Sequence, residues 1–346
     1  MKFYKDKYFN FIEIFNEKNG FLLRSNIINE KGEETKAVPY KRSYPELIDI
    51  GIMGHCQNEK TCRNFGVDCY QDNKNVGNMD LDLYKSIIDQ SKGYTYQVAL
   101  GGKGDPNKHE KFGEILKYTV EHGIIPNLTT SGVGITEHEI NLILKYCGAI
   151  AISMYSKYNK KTKQESNPEC INLINKLSSK IKTNIHYVVS NSTIDDLIYR
   201  LENKLIPEKI NSLILLLYKP VGYGKEFLKL SNIDKIEKLF GLLHKEYPFK
   251  IGFDSCFAPL VRKYMSDLIV AESLIPCEAG RFSCYIDSNM MMYPCSFAQL
   301  DEYGSDLTEL DIFTVWFSNK FLSFIKKCNG NCDKCPVNLN EHILSL

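Results

Sequence analysis

The stretch LIDIGIMGHCQNEKTCRNFGVDCY, residues 47–70, decides the fold. It opens with an apolar run typical of a buried strand and continues into a loop that carries Cys56, Cys62 and Cys69. Connections from a strand to a helix usually span about 2–6 residues, whereas this one extends over residues 54–79. Long loops at strand ends tend to be functional, so the three cysteines are the first candidate site.

Outward from this stretch, short apolar runs alternate with amphipathic helical patterns. The strand-like runs lie at 47–53, 95–100, 124–130, 149–154, 184–189 and 212–218. The helical patterns lie near 80–91, 109–122, 136–146, 168–180, 193–203 and 232–246, with Asp80 and Thr136 as N-caps. This alternation predicts parallel βαβ units in an α/β fold. Six such units fit either a doubly wound sheet or a barrel that stops short of eight strands.

Small or polar residues follow each apolar run. In parallel α/β folds the carboxyl ends of the strands form the active face. We therefore expect these residues to lie together at that end of the sheet. After the cysteines of the first loop, they include Gly101, Gly102, Thr129, Thr130, Ser131, Ser153 and Ser190. Polar loops occur in any α/β protein, and a hydroxyl can simply cap a helix or close a turn. The cysteines in the first loop favour a binding site.

Composition limits the class of protein. The 346 residues carry 43 basic and 42 acidic side chains, a net charge of +1, which argues against nucleic acid or an acidic membrane as a partner. No apolar run approaches the roughly 20 residues of a membrane span. The N-terminus lacks the pattern of a signal peptide, so we expect a cytoplasmic protein. In that compartment the 12 cysteines point to metal ligation rather than to disulfides.

The two ends of the chain differ from its centre. Residues 1–46 contain Asn19-Gly20 between alternating apolar residues, which predicts a β-hairpin. After residue 253 the alternation stops, and six cysteines fall within 277–335. We therefore expect a separate metal-stapled module over 254–346, since few apolar runs remain there to build a core. Its aromatic helical pattern at 312–327 should pack in the interior.

The chemistry of the first loop follows from its ligands. Three thiolates can hold three irons of a [4Fe–4S] cube and leave the fourth iron open for another molecule. A zinc site that adds His55 is the alternative, although structural zinc sites usually contain a Cys-x-x-Cys pair, which this loop lacks. The isolated Cys147, Cys170 and Cys256 are expected to be packing residues, and so is His186.

A strand that ends in a three-cysteine loop with Cys-Tyr last, followed by a strand that ends in Gly-Gly, resembles the radical S-adenosylmethionine (SAM) superfamily. Both gaps between the cysteines are longer than in the family's CxxxCxxC pattern. The segment ALGGKGDP (99–106) resembles the family's Gly-Gly-Glu-Pro segment, with Asp105 in place of the glutamate. The resemblance implies that the backbone at Gly101 and Gly102 receives the SAM amino group. Carboxylate or ribose contacts would come from Thr129, Thr130, Ser131, Ser153 and Ser190.

The second cysteine group resembles another part of this superfamily. The text CEAGRFSCYIDSNMMMYPC (277–295) is similar to the entry of the cysteine-rich SPASM and twitch extensions, with Met290 where a turn glycine is expected. The resemblance implies one auxiliary [4Fe–4S] cluster, with two held as the less favoured case; a zinc knot is the alternative. Its ligands would be Cys277, Cys295, Cys332 and Cys335, with Cys284 and Cys328 as possible substitutes.

The resemblance implies a fold and an activity together. The fold is a partial (β/α)6 TIM-like barrel over 47–253 with a C-terminal iron–sulfur module. The activity is reductive cleavage of SAM to a 5′-deoxyadenosyl radical that takes hydrogen from a substrate. The substrate would be a ribosomally made peptide that receives a thioether or other cross-link, with a flavodoxin- or ferredoxin-type reductant and, because residues 1–46 are short, a separate peptide-recognition protein. Dehydrogenation of a small molecule and a zinc-stapled binding module are the alternatives, and no catalytic acid or base is assigned.

Overall fold

The computed structural model describes residues 1–65, 69–71, 75–269, 274, 277–328 and 335. Its strands are β1 (Lys2–Asp6), β2 (Phe11–Phe15), β3 (Leu22–Arg24), β4 (Leu47–Ile50), β5 (Gln97–Leu100), β6 (Ile125–Thr130), β7 (Ala149–Ser153), β8 (Tyr158–Asn159), β9 (Gln164–Glu165), β10 (Lys182–Val189), β11 (Ser212–Leu217), β12 (Lys250–Phe253), β13 (Ser283–Ile286), β14 (Met291–Tyr293) and β15 (Ser305–Asp306). Its helices are α1 (Glu59–Asn64), α2 (Leu81–Ser91), α3 (Phe112–Glu121), α4 (Glu137–Tyr146), α5 (Pro168–Ser178), α6 (Ile194–Glu202), α7 (Ile233–Leu243), α8 (Ala258–Tyr264), α9 (Ile312–Trp316) and α10 (Asn319–Cys328).

A ten-stranded sheet dominates the fold, in the order β12-β11-β10-β7-β6-β5-β4-β13-β14-β15. From β4 to β12 the strands are parallel and lie side by side in chain order. A doubly wound sheet reverses its strand order near the centre, and this sheet does not. All six predicted strands are present. The additional strand β12 has the sequence KIGF, too short and too glycine-interrupted for periodicity to identify.

Helices lie in the connections between the parallel strands. Both predicted N-caps are confirmed: Asp80 accepts from the amides of Asp82 and Leu83, and Thr136 forms a capping box with Glu139. Apolar residues that alternate along the strands are buried against the helices, among them Ile48, Ile50, Val98, Leu100, Ile150, Ile152, Ile185 and Leu213. The described helices include none long and apolar enough to cross a membrane.

The N-terminal segment forms its own three-stranded antiparallel sheet, β1-β2-β3. The predicted hairpin is present as β2 and β3, and β1 adds a strand to it. The sheet is tied to the rest of the chain by buried charge. Glu13 pairs with Arg42 at 2.8 Å, with both side chains fully buried, and Arg24 pairs with Glu278 at 2.7 Å.

The C-terminal part continues the main sheet. Strand β13 pairs in parallel with β4, and β14 and β15 extend the sheet from there. This pairing covers the edge that β4 would otherwise expose, so strands β13, β14 and β15 of the C-terminal part are hydrogen-bonded into the main sheet. The predicted aromatic helix is divided into α9 and α10. Its large side chains Trp316, Phe321 and Phe324 are buried, as predicted.

Met290 occupies the turn between β13 and β14 with φ of +65°, the conformation that a glycine would adopt without strain. For an L-residue this conformation costs about 1–2 kcal/mol. The Met290 side chain is only 1% exposed, and losing a buried methionine side chain costs about 2–5 kcal/mol. Packing therefore outweighs backbone strain at this turn.

We expect Met290→Gly to lower the free energy of unfolding by about 1–3 kcal/mol, because the lost packing exceeds the strain relieved. Met290→Leu keeps the volume and should cost less than about 1.5 kcal/mol. Denaturant titration followed by circular dichroism measures both variants. A glycine variant more stable than the wild type would show that strain, not packing, dominates this turn.

Candidate functional site

A cavity of about 300 Å³ opens at the carboxyl ends of the parallel strands. Apart from Gly101, every residue predicted for the first site lines it: Cys56, Cys62, Cys69, Gly102, Asp105, Thr129, Thr130, Ser131, Ser153 and Ser190. The amide of Gly101 instead donates to the carbonyl of Ile50 at 3.2 Å. The structure thus brings together residues from five strand ends that are far apart in sequence.

The three cysteines lie on a loop that contains the short helix α1. Cys62 belongs to this helix and is 8% exposed, while Cys56 and Cys69 are half-buried. Burial, followed by the proximity of Asp105 and the other two cysteines, raises the pKa of Cys62 to about 12. Burial also raises the pKa of Cys56 and of Cys69. Such thiols ionise when a metal binds them.

This donor set fits a multinuclear iron site. Thiolate sulfur is the ligand that iron–sulfur clusters use, and three thiolates leave one iron of a cube open. A single zinc ion instead requires its sulfur ligands about 2.3 Å from one point. Among the Cys, His, Asp and Glu residues that the structure describes, no group of three is placed to hold a single ion.

Two glycines let neighbouring loops press against the cysteine loop. Gly104 has φ of +68°, and a Cβ there would lie 2.5 Å from the carbonyl oxygen of His55. Gly222 has φ of +55°, and a Cβ there would lie 2.5 Å from the carbonyl oxygen of Tyr70, which accepts from the Tyr223 amide at 2.9 Å. Only glycine fits these positions. The loop that contains Lys103, Gly104 and Asp105 therefore packs directly against the backbone of the cysteine loop.

Asp105 connects the third strand end to the cysteine loop. Its carboxylate accepts from the Ser131 amide at 2.6 Å, from the Ser131 hydroxyl at 2.5 Å and from the Asn58 side-chain amide at 2.7 Å. The residue is 6% exposed. A buried carboxylate with three donors is held in one orientation. Asp105 therefore links two parts of the cavity wall, the loop at Ser131 and the cysteine loop at Asn58.

The sequence predicts SAM as the ligand of this cavity, and on that prediction we expect Asp105→Asn to weaken SAM binding by about 10- to 100-fold, because the amide loses one or more charge-assisted bonds worth about 1.5–3 kcal/mol. Equilibrium dialysis of reconstituted protein against labelled SAM measures the change. Asp234→Asn, an exposed replacement at the start of α7, is the matched control. If the Asp105 variant bound SAM with unchanged affinity, Asp105 would not contribute to the binding site.

The strand-end hydroxyls divide into two groups. The Thr130 hydroxyl donates to Asn107 at 2.9 Å, and the Ser190 hydroxyl lies 2.9 Å from that of Ser192. The first bond joins two different strand-end loops, and the second is a local turn bond of the kind that strand-end hydroxyls often make. Thr129 and Ser153 line the cavity from the adjacent strands β6 and β7, and the Ser153 side chain also hydrogen-bonds to that of Tyr155.

Several cavity residues were not predicted as site residues. His186 was expected to be a packed histidine; it is the register partner of Ser153 and lines the cavity. Burial lowers its pKa to about 4, so it is neutral near neutral pH. Lys219 lines the cavity and pairs with Asp254 at 2.5 Å, with its ammonium 4.4 Å from the Phe297 ring centre. Although burial opposes it, Asp254 holds the pKa of Lys219 above its ordinary value.

The second cysteine group also assembles. Cys277, Cys295 and Cys335 pack against a small buried cluster that includes Cys328 at the end of α10. Cys332 lies outside the described residues. Cys284 does not join the group, because β13 places it in the main core at 2% exposure. The structure therefore does not bring Cys284 together with the other cysteines of this group.

One aromatic contact lies between the two cysteine groups. Tyr70 follows Cys69, and its ring centre is 5.2 Å from that of Phe297. The Phe297 amide in turn donates to the sulfur of Cys295 at 3.5 Å. The two groups therefore belong to one continuous region of the molecule.

Solved structures share this architecture. Streptococcus suis SuiB bound to precursor peptide SuiA aligns with a TM-score of 0.63 and 18% identity, covering 86% of this chain and 71% of SuiB. SuiB bound to S-adenosylmethionine aligns with a TM-score of 0.61. The protein anSMEcpe with bound AdoMet aligns with a TM-score of 0.61 and 16% identity, covering 86% of this chain and 92% of that one.

The predicted resemblance to radical SAM proteins is confirmed as a shared fold. A large parallel sheet with helices is common to this chain and to these structures. No sequence-family model and no curated protein matches the chain. The likeness is therefore visible in three dimensions where the sequences have diverged.

Proposed function

We propose that the chain is a radical SAM enzyme built on a partial (β/α)6-type barrel. One observation carries this proposal: Cys56, Cys62 and Cys69 share a single cavity with the Asp105 loop and the polar strand ends. The sequential order of the parallel strands supports the barrel. The shared fold of SuiB and anSMEcpe, both of which have structures with SAM bound, supports the cofactor.

In this proposal the three cysteines hold a [4Fe–4S] cluster and the cavity binds SAM. When bound, the reduced cluster supplies the electron that splits the sulfonium of SAM into methionine and a 5′-deoxyadenosyl radical. Gly102 presents its backbone to the amino group of SAM. Thr129 and Ser153 offer hydroxyls to its carboxylate or ribose. The enclosing walls exclude water from the reacting atoms.

The second group would hold an auxiliary [4Fe–4S] cluster through Cys277, Cys295, Cys332 and Cys335, with the Cys328 thiol close by. Four thiolates close a cube and leave no open iron. The module beginning at residue 254 would then serve the barrel over 47–253 as a second redox centre. A flavodoxin- or ferredoxin-type protein would supply electrons.

The proposed substrate is a peptide that receives a thioether or other cross-link. SuiB bound to a precursor peptide and anSMEcpe bound to a Cp18Cys peptide support this class. A separate peptide-recognition protein belongs to the same proposal as a further partner.

Anaerobic incubation of reconstituted protein with SAM, a reductant and synthetic cysteine-containing peptides tests this function. Mass spectrometry should show the loss of two hydrogen atoms from a peptide, with one recovered in 5′-deoxyadenosine when the peptide is deuterated. The Cys56, Cys62 and Cys69 triple alanine variant should give neither product. If SAM is cleaved but no peptide changes in mass, the proposed SAM chemistry stands and the proposed peptide substrate is rejected.

A further inference from the structure

The connection between β7 and α5 is longer than a strand-to-helix loop requires. It spans residues 154–167 and contains the hairpin β8-β9, where about 2–6 residues would suffice. We call residues 157–165 the basic hairpin. It carries four exposed lysines, Lys157, Lys160, Lys161 and Lys163, and one carboxylate, Glu165.

The single carboxylate of the basic hairpin is directed inward. Glu165 accepts two bonds of 2.7 Å from Arg200, whose side chain is fully buried, and a third of 2.7 Å from the Ser156 hydroxyl. Asp196 accepts from Arg200 at 2.6 Å and from the Tyr158 amide at 2.9 Å. These buried bonds anchor the base of the hairpin, and they leave its lysines without a neutralising group on the hairpin itself.

The four lysines of the basic hairpin are exposed, and one of them reaches the cavity. Lys157 lines the same cavity as the three cysteines. The Lys160 ammonium lies 4.4 Å from the ring centre of Tyr199. Within the described part of the chain, none of the four ammonium groups is within 4 Å of a carboxylate. The basic hairpin therefore reaches the site through Lys157 and carries three further exposed lysines within the same nine residues.

We propose that the basic hairpin binds an acidic segment of the peptide substrate, next to the residue that is modified. This inference rests on the proposed function and names the class of peptide. The chain as a whole is balanced, at +1, whereas the hairpin concentrates four positive charges on nine residues. Opposite charges on the peptide would steer it to the mouth and fix its register. A nucleic acid would need a longer basic track.

The test compares two fluorescein-labelled peptides that contain one cysteine flanked by four glutamates or by four glutamines. Fluorescence anisotropy with reconstituted protein should show about tenfold tighter binding of the glutamate peptide, a preference that declines with added salt. The variant Lys160→Gln/Lys161→Gln/Lys163→Gln should lose the preference. The control Lys92→Gln/Lys180→Gln/Lys245→Gln changes exposed lysines that follow α2, α5 and α7 at the opposite end of the strands, and it should keep the preference.

An unchanged glutamate preference in the hairpin variant would overturn the proposal. Binding of labelled single-stranded oligo-dT as tightly as the glutamate peptide, or more tightly, would also overturn it, because the hairpin would then be a nucleic-acid surface. Binding is read without turnover, and 5′-deoxyadenosine formed in the absence of peptide should be the same in all three proteins. Failure of the cofactor chemistry is therefore visible separately from failure of the docking surface.

Discussion

Replacing Cys56, Cys62 and Cys69 together by alanine should remove about four irons per chain from the anaerobically reconstituted protein. The physical reason is that the proposed first cluster takes its protein ligands from these three thiolates, which lie on the loop that contains α1 and line one cavity. Iron analysis measures the loss, and electron paramagnetic resonance of the reduced protein shows which cluster signal disappears. The signal that shifts when SAM is added is the one expected to vanish.

The scattered cysteines supply the control for this variant. Cys170 is buried in α5 and Cys147 follows α4, both packed against the main core. Alanine at either position should leave iron content and the SAM-dependent signal intact. If the triple variant kept its iron, the loop would not be the cluster site. If the wild type instead bound one zinc per chain, the loop would be a structural metal site.

Cys277→Ala/Cys295→Ala should have an equally large but different effect. We expect it to lose the second cluster and the peptide product while it still forms 5′-deoxyadenosine, because the cavity of the first site remains complete. Iron content should fall by about four per chain, and the product is followed by mass spectrometry.

Cys284→Ala is the matched control within the same stretch of sequence. Cys284 is separated from Cys277 by only six residues, yet β13 directs it into the main core. Its replacement should cost some stability and no iron. Loss of the second cluster in the Cys284 variant, with retention in the double variant, would contradict the assembly that the structure shows.

The sequence predicts the parts of this molecule that depend on local pattern. The period of apolar residues locates the strands, the side chains of Asp80 and Thr136 locate helix starts, and glycines mark the strand-end loops. Convergence of parallel strand ends then predicts the shared cavity without any knowledge of contacts. That argument places nearly all of the first site.

What sequence could not predict depends on contacts between distant segments. The pairing of β13 with β4 joins residues more than 200 positions apart, and no local pattern encodes it. The same pairing explains why Cys284 leaves the cysteine group. The pair of Lys219 and Asp254 was missed because Asp254 follows β12, a strand with too little periodicity to detect.

The basic hairpin shows how a local pattern acquires meaning only in the fold. The run KYNKKTK (157–163) suggests no more than a solvated loop when it is considered alone. Its position beside the cysteine cavity and the inward pairing of Glu165 with Arg200 convert it into an oriented charged surface. The proposal that the hairpin binds an acidic peptide segment therefore depends both on the number of its lysines and on its position beside the cavity.

The central claim is that the cavity of Cys56, Cys62 and Cys69 cleaves SAM, and one measurement tests it most directly. Anaerobically reconstituted protein is mixed with SAM and dithionite, and 5′-deoxyadenosine and methionine are quantified by liquid chromatography. The account predicts that both are formed in equal amounts and that neither is formed by the triple alanine variant. A fully iron-loaded protein that forms no 5′-deoxyadenosine would contradict it.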